Sequence, residues 1–227
     1  MCQREPMQQA FGMTVPVTPS EMCHPSRAAL LVYDAQVGIL PAVREREAVT
    51  DRMTAVLGAV RAAGMPVLYT RHVSLPPFLM GVGALRTAMA WQRVASADQV
   101  RQPFPPNGPQ TQLVPELGPD GGEPVLDKLG MSAFVGTPLE MVLRDRGVAT
   151  LVLVGAVLEI GIEPTARHAA DLGFLPVIVE DACAVVDRDA ADRCLAASTT
   201  ACSPTASPPP SCCAPSPANR NPEARIG

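Results

Sequence analysis

Along this chain the apolar residues fall into short unbroken runs, and between the runs they recur at the spacing of a helix face. Ala28 to Tyr33 is the first run, and Asp34 stops it. A run of this length between polar neighbours suits a strand covered on both faces of a parallel sheet. From about Glu45 to Ala63 the helical spacing takes over (Val49, Met53, Val56, Leu57, Val60), and Gly64 and Pro66 end it. Val67 to Thr70 reads as the next strand, and a helix is expected near Val82 to Val94. Val125 and Leu126 lead into Lys128 at a strand end. Thr137 is placed to cap a helix that begins at Pro138, runs to about Asp145 and stops at Gly147. Thr150 to Val154 is the clearest strand of all, with Gly155 after it. Pro164 to Ala170 begins another helix, Gly173 closes it, and Leu175 to Val179 is a further strand ending at Glu180 and Asp181.

Strands alternating with helices over short connections predict an α/β domain, a three-layer Rossmann-like fold with a mostly parallel central sheet flanked by helices. In such sheets ligands gather at the carboxyl ends of the strands. Asp34, His72, Lys128, the segment Gly155 to Gly161, and Asp181 all follow predicted strands, so a site is expected among them. One connection, the proline- and glycine-rich stretch from Pro103 to Pro124, is long enough to suggest a lid or a partner-contact loop. Residues 1–26 read as a flexible N-terminal arm and residues 27–197 as the domain. After Ala197 the text turns to Ser, Thr, Pro, Ala and Cys, so residues 198–227 are expected to be disordered for want of apolar area to bury.

Composition narrows the function classes. The 227 residues suffice for one well-buried domain, with 47% apolar and 18% charged residues. Aromatics at 4% and a net charge of −4 argue against a nucleic-acid partner or an anionic membrane. No apolar stretch approaches the roughly 18–20 residues needed to span a bilayer, and the polar N-terminus does not read as a secretory signal. Five of the seven cysteines lie in the last quarter, and His24, His72 and His168 match no zinc spacing. The expectation is a cytoplasmic, reduced protein with no metal and no cofactor, acting on a small molecule.

Asp34 and Lys128 are the first candidates for chemistry. A carboxylate at one strand end and an ammonium at another either pair across the site or remain two surface charges. Paired and buried, the lysine holds the acid ionised until substrate shifts the balance and allows proton transfer. Arg71 is suited to a substrate carboxylate or else to a surface ion pair, and His72 to substrate contact or a structural hydrogen bond.

The run from Arg27 to Gln36, with Asp34 in it, resembles the opening strand of the isochorismatase-like (cysteine) hydrolases. The segment from Asp127 and Lys128 through Phe134, Gly136 and Thr137 to Leu139 is similar to that family's lysine segment. Leu151 to Gly155, Glu163 to Gly173 and Val177 to Ala182 resemble its third and longest motif. Three separated motifs in order cover about residues 27–195. The resemblance implies catalytic roles for Asp34 and Lys128, substrate contacts near Val157, Glu159, Arg71 and His72, a non-proline cis peptide at Ala156-Val157, and a homo-oligomer. The segment Pro76 to Pro124 is expected to contribute to that assembly. Where metal-binding relatives have an Asp-X-His pattern after this strand the text reads Thr70-Arg71-His72, which again implies no metal.

The departure is at Gly161, where amidase members carry the nucleophilic cysteine. Glycine cannot attack a carbonyl, and Cys183 lies beyond the next strand, where the family does not place a nucleophile. Isochorismatases proper also lack the cysteine and cleave a vinyl ether by acid chemistry. The resemblance therefore implies a hydrolase using Asp34 as acid, with Lys128 tuning it. The alternative is an inactive member that binds a small ligand or partner. A further reading concerns the tail alone: its composition is that of a shifted reading frame in GC-rich DNA, which translation of the other two frames would test.

Overall fold

The computed structural model describes residues 7–43 and 45–197 and the backbone of 201–202. Its centre is a sheet of parallel strands: β3 (Ala28–Tyr33), β4 (Val67–His72), β5 (Val125–Lys128), β6 (Thr150–Ala156) and β7 (Leu175–Ala184), in the order β5-β4-β3-β6-β7. A two-residue strand, β8 (Ala201–Cys202), adds to the β7 edge. Every residue of β3 is buried, as its unbroken apolar run predicts, because neighbours flank it on both edges and layers cover both faces.

Side-chain alternation along β3 builds two separate cores. Leu30 and Val32 pack with Met53, Leu57 and Val60 of α2 (Arg46–Ala62). Ala29, Leu31 and Tyr33 face the other way, onto Leu139 and Leu143 of α4 (Leu139–Asp145) and Ile162, Ala166 and Ala169 at α5 (Glu163–Asp171). Helices on both faces of a parallel sheet make the three-layer α/β arrangement expected from the strand–helix alternation. No helix among the described residues is long and apolar enough to cross a membrane.

Several boundaries differ from expectation for local reasons. The third helix, α3, covers Val82–Gln92 and ends as Arg93 turns into the left-handed region at φ 54°. Helix α4 begins one residue late: Pro138 is its cap residue, and the Thr137 hydroxyl accepts from the Leu139 amide at 3.2 Å. Strand β7 does not stop at Glu180 and Asp181 but continues to Ala184. Leu153 pairs with Ile178 and Gly155 with Cys183, so two steps on β6 face five on β7, and the polar pair occupies the resulting bulge. The long connection ahead of β5 folds back as single helical turns, and its Leu113 forms a bridge with Gln36 just after β3.

Within the segment read as an arm, β1 (Gln8–Ala10) and β2 (Met13–Val15) form a hairpin. The short helix α1 (Pro19–Met22) follows, closed by a reciprocal Thr18–Glu21 cap. Of the tail read as disordered, only β8 is described; the rest lies outside the described residues. The last helix, α6 (Arg188–Ala196), starts at Asp187, whose side chain accepts from the Ala190 amide.

Because Leu31 is fully buried at the centre of the sheet, Leu31→Ala should cost about 2–5 kcal/mol of stability. A urea titration of both proteins measures this as a lower midpoint at unchanged slope.

Candidate active site

The carboxyl ends of β3, β4 and β5 converge on Asp34. The chain leaves β3 at Asp34 with φ 44°, in the left-handed region that short polar residues tolerate better than most. The Asp34 amide donates to the Thr70 carbonyl at 3.2 Å, and the Thr70 hydroxyl donates to Asp34 Oδ1 at 2.7 Å. Lys128 Nζ donates to Asp34 Oδ2 at 2.6 Å and to the Gly130 carbonyl at 3.1 Å. Residues 34 and 128 are 3% and 2% exposed, so this ion pair lies out of water. Gln36 braces it from behind, its side chain bonding both the amide and the carbonyl of His72 and the carbonyl of Thr111.

Burial dominates the ionisation of this pair. It raises the Asp34 pKa above the ordinary carboxylate range, against the opposing pull of Lys128 and Thr70. Burial also lowers the Lys128 pKa, with Asp34 opposing. Both shifts have the same cause, the loss of water around the charged forms, and in each the partner's charge opposes it.

His72 is the register partner of Lys128 and lies edge-on to Phe104, with ring centroids 5.6 Å apart. Burial, with a smaller contribution from the Lys128 charge, lowers its pKa to about 4, so the imidazole is neutral at pH 7. It lines a cleft of about 510 Å³ with Trp91, Phe104, Leu129 and Met131. Asp34 and Lys128 are not among the residues lining that cleft.

Gly161 sits in the wide turn Leu158–Ile162 between β6 and α5. Its amide and that of Ile162 donate to the Val157 carbonyl at 3.0 and 3.2 Å, and the Ala156–Val157 peptide is cis. Val157 itself is buried. The Tyr33 ring closes over Gly161 on one side and lies under Lys128 Nζ on the other, 4.3 Å from the ring centroid.

The remaining candidates point elsewhere. Arg71 places its fork on Asp127 at 2.8 and 3.0 Å, the surface ion pair of its two readings. Glu159 Oε1 accepts from the amides of Val186 and Asp187, tying down the approach to α6, while its second oxygen is buried with no hydrogen-bond partner among the described residues. Asp181 faces Arg52 at 3.6 Å. Cys183 is buried, its thiol donating to the Leu153 carbonyl at 3.7 Å and its pKa raised by burial, which suits a packed thiol and not a nucleophile. Two residues that sequence reasoning passed over belong to the site. Thr70 bonds the acid directly, and Tyr33 is the polar end of an otherwise apolar run, which is the one signal that marks it.

A buried acid–lysine pair at the carboxyl ends of the strands of a three-layer parallel sheet marks an α/β protein with its candidate site where such sheets gather ligands. The isochorismatase domain family matches residues 28–207, and the chain belongs to that family. The uncharacterised isochorismatase family protein YecD of Escherichia coli is 35% identical over an alignment of 172 residues that covers 71% of this chain and 81% of that protein. The ureidoacrylate amidohydrolase RutB of Klebsiella pneumoniae is 29% identical over an alignment of 191 residues that covers 75% of this chain and 79% of that one. Among solved structures, N-carbamoylsarcosine amidase from Thermoplasma acidophilum aligns at TM-score 0.60 and 26% identity over 75% of this chain and 92% of that one. An isochorismatase family protein from Burkholderia thailandensis aligns at TM-score 0.60 and 28% identity, covering 76% and 86%. The chain is accordingly a hydrolase of this family, and the likeness leaves its reaction unspecified.

The neutral His72 has a consequence for acid stability. Unfolded, its imidazole takes a proton below about pH 6.5; folded, it does so only near about 4. The unfolded state thus binds more protons across that window, and stability falls as pH drops through it. His72→Gln should flatten this part of the profile, measured by urea unfolding at pH 7, 5 and 4.

Proposed function

We propose that this protein hydrolyses a small anionic metabolite by acid catalysis from Asp34, without a cysteine nucleophile. The observation that carries the reading is the buried contact between Asp34 and Lys128, in which burial raises the carboxyl pKa. An acid in that state suits a vinyl-ether substrate. Asp34 would give its proton to the alkene carbon, and water would capture the oxocarbenium ion. The resulting hemiketal would expel the alcohol, leaving a carbonyl compound and returning a proton to Asp34. Lys128 would tune the acid and orient the anion. Amide cleavage of the kind named for the ureidoacrylate and carbamoylsarcosine enzymes is disfavoured, because Gly161 has no side chain to attack with and Cys183 is packed against Leu153.

Asp34→Asn should lower turnover of a vinyl-ether substrate by at least about a hundredfold, the lower end of what a general acid supplies. Undiminished turnover in that variant would sink the reading.

One observation favours the alternative of a ligand-binding member without turnover: Asp34 and Lys128 are almost wholly enclosed and line none of the 510 Å³ cleft beside them. A panel of vinyl ethers, amides and esters with no Asp34-dependent hydrolysis, together with a ligand that raises the melting temperature, would decide for it.

The same proposal includes self-association through the segment that begins at Pro76, which exposes Phe78 (84%), Leu79 (58%), Val82 (77%) and Trp91 (53%). Apolar side chains concentrated in one segment suit a second copy better than water. Sedimentation equilibrium should report an oligomer, and Phe78→Glu should move it toward monomer.

A further inference from the structure

Glycine is required at position 161 for space and not for backbone conformation. Gly161 does not lie at positive φ, whereas eight other glycines of the described residues do. A Cβ at 161 would stand 2.5 Å from both Cε1 and Cζ of Tyr33, and closer still to its hydroxyl. Gly155, the register partner of Tyr33 on β6, is held to glycine by the same residue from the other side. A Cβ there would approach the Tyr33 amide nitrogen at 2.7 Å, at φ 131°. Nor is the ring free to swing away. Tyr33 is 2% exposed, its hydroxyl donates to the Met131 carbonyl, and Lys128 Nζ rests over its face.

The turn that Tyr33 holds is tied at successive residues around the candidate site. Lys128 donates to the Gly130 carbonyl and Tyr33 to that of Met131. Ser132 Oγ lies 2.9 Å from His168 Nδ1, and the Ala133 amide donates to the Thr165 hydroxyl at 3.1 Å. That hydroxyl in turn donates to the Gly161 carbonyl at 2.7 Å, returning the network to the glycine.

We propose that Tyr33 is a positioning residue of this site and that Gly161 is the space its ring requires. The phenol takes the volume a side chain at 161 would fill, excludes a thiol there, and seats the Lys128 ammonium and the Gly130–Ala133 turn. A thiol nucleophile therefore cannot be restored at this position by one substitution. Tyr33 must shrink at the same time. This packing holds whether or not Asp34 turns substrate over, so the inference and the proposed acid hydrolysis can fail separately.

The test is a double-substitution cycle in the full chain, using Gly161→Cys, Tyr33→Val and both together. Urea unfolding should show the double variant more stable than the sum of the single effects, by about tenfold in the unfolding constant, as groups in direct contact do. Peptide mapping after a short iodoacetamide pulse should find the introduced thiol alkylated at least about tenfold faster in the double variant than in Gly161→Cys alone, since its reactivity depends on access. Additive stabilities, or equal alkylation with Tyr33 intact, would overturn the proposal. If Gly161→Cys does not fold, folding of the double variant supports it, and the same comparison with Gly161→Ala decides the case where neither folds. The positioning role has its own readout in the titration of the Asp34 carboxyl carbon followed by NMR. Tyr33→Val should let water reach the pair and move the Asp34 midpoint down toward the ordinary range, whereas Tyr33→Phe, which keeps the ring under Lys128, should restore it. An Asp34 midpoint that Tyr33→Val leaves in place would refute positioning and leave only packing.

Discussion

A carboxylate and an ammonium 2.6 Å apart, both shut away from water, set the terms for everything around them. Desolvation costs each ion several kcal/mol, and the attraction between them repays this only when the other lone pairs and protons are also satisfied. The chain supplies those partners from three strand ends: Thr70 on β4 bonds Oδ1, Gly130 beyond β5 takes a second Lys128 proton, and the Tyr33 ring faces the ammonium. Removing one charge while keeping the other would leave a buried ion uncompensated, a change that typically costs about 3–5 kcal/mol. Such a pair is thus poor evidence for stability as such. Its interest lies in its place at the carboxyl ends of the strands, where such sheets gather ligands.

Tyr33 joins that electrostatic centre to the packing. Its backbone is the last pair of the β3–β6 ladder, opposite Gly155, and its ring enters the core shared with α4 and α5. A large polar aromatic in that place demands a small residue in the turn after β6, and Gly161 meets the demand, while Gly155 is held to glycine by the Tyr33 backbone and its own φ of 131°. The phenol remains neutral, since burial and the neighbouring Asp34 charge both raise its pKa. Close to the acid–lysine pair, then, the side chain over Gly161 is an uncharged hydrogen-bond donor already committed to the Met131 carbonyl.

Much of this was legible in the order of apolar runs. Buried β3 and β6 and the intervening helices follow from period, whereas the strand-end rule left Asp34 and Lys128 either paired or two surface charges, and the family resemblance favoured the pairing that the structure shows. What escaped was whatever depends on register or on a side chain's direction. Glu180 and Asp181 read as a strand end because a polar pair normally is one, and only the bulge against β6 lets β7 carry on to Cys183 and Ala184. Arg71 offered a substrate contact until its cross-strand partner was known to be Asp127. Tyr33 looked like one more apolar core residue, because nothing in a linear text says which helix turn its ring will meet.

Register also explains why the chemistry is where it is. On β4 and β5 the paired positions run Tyr69 with Val125, Thr70 with Leu126, Arg71 with Asp127 and His72 with Lys128. Successive side chains point to opposite faces, so the half-exposed Arg71–Asp127 pair and the buried Lys128 follow from the same phase. A slip of one residue in β5 would exchange them, bringing the Asp127 carboxylate to the position from which Lys128 reaches Asp34 and setting two acids against each other. The apolar contacts of Val125 and Leu126 against the sheet therefore do more than hold an edge strand in place. By fixing the phase of four residues they determine the sign of the charge that faces Asp34, and with it whether that carboxyl meets a cation or a second acid.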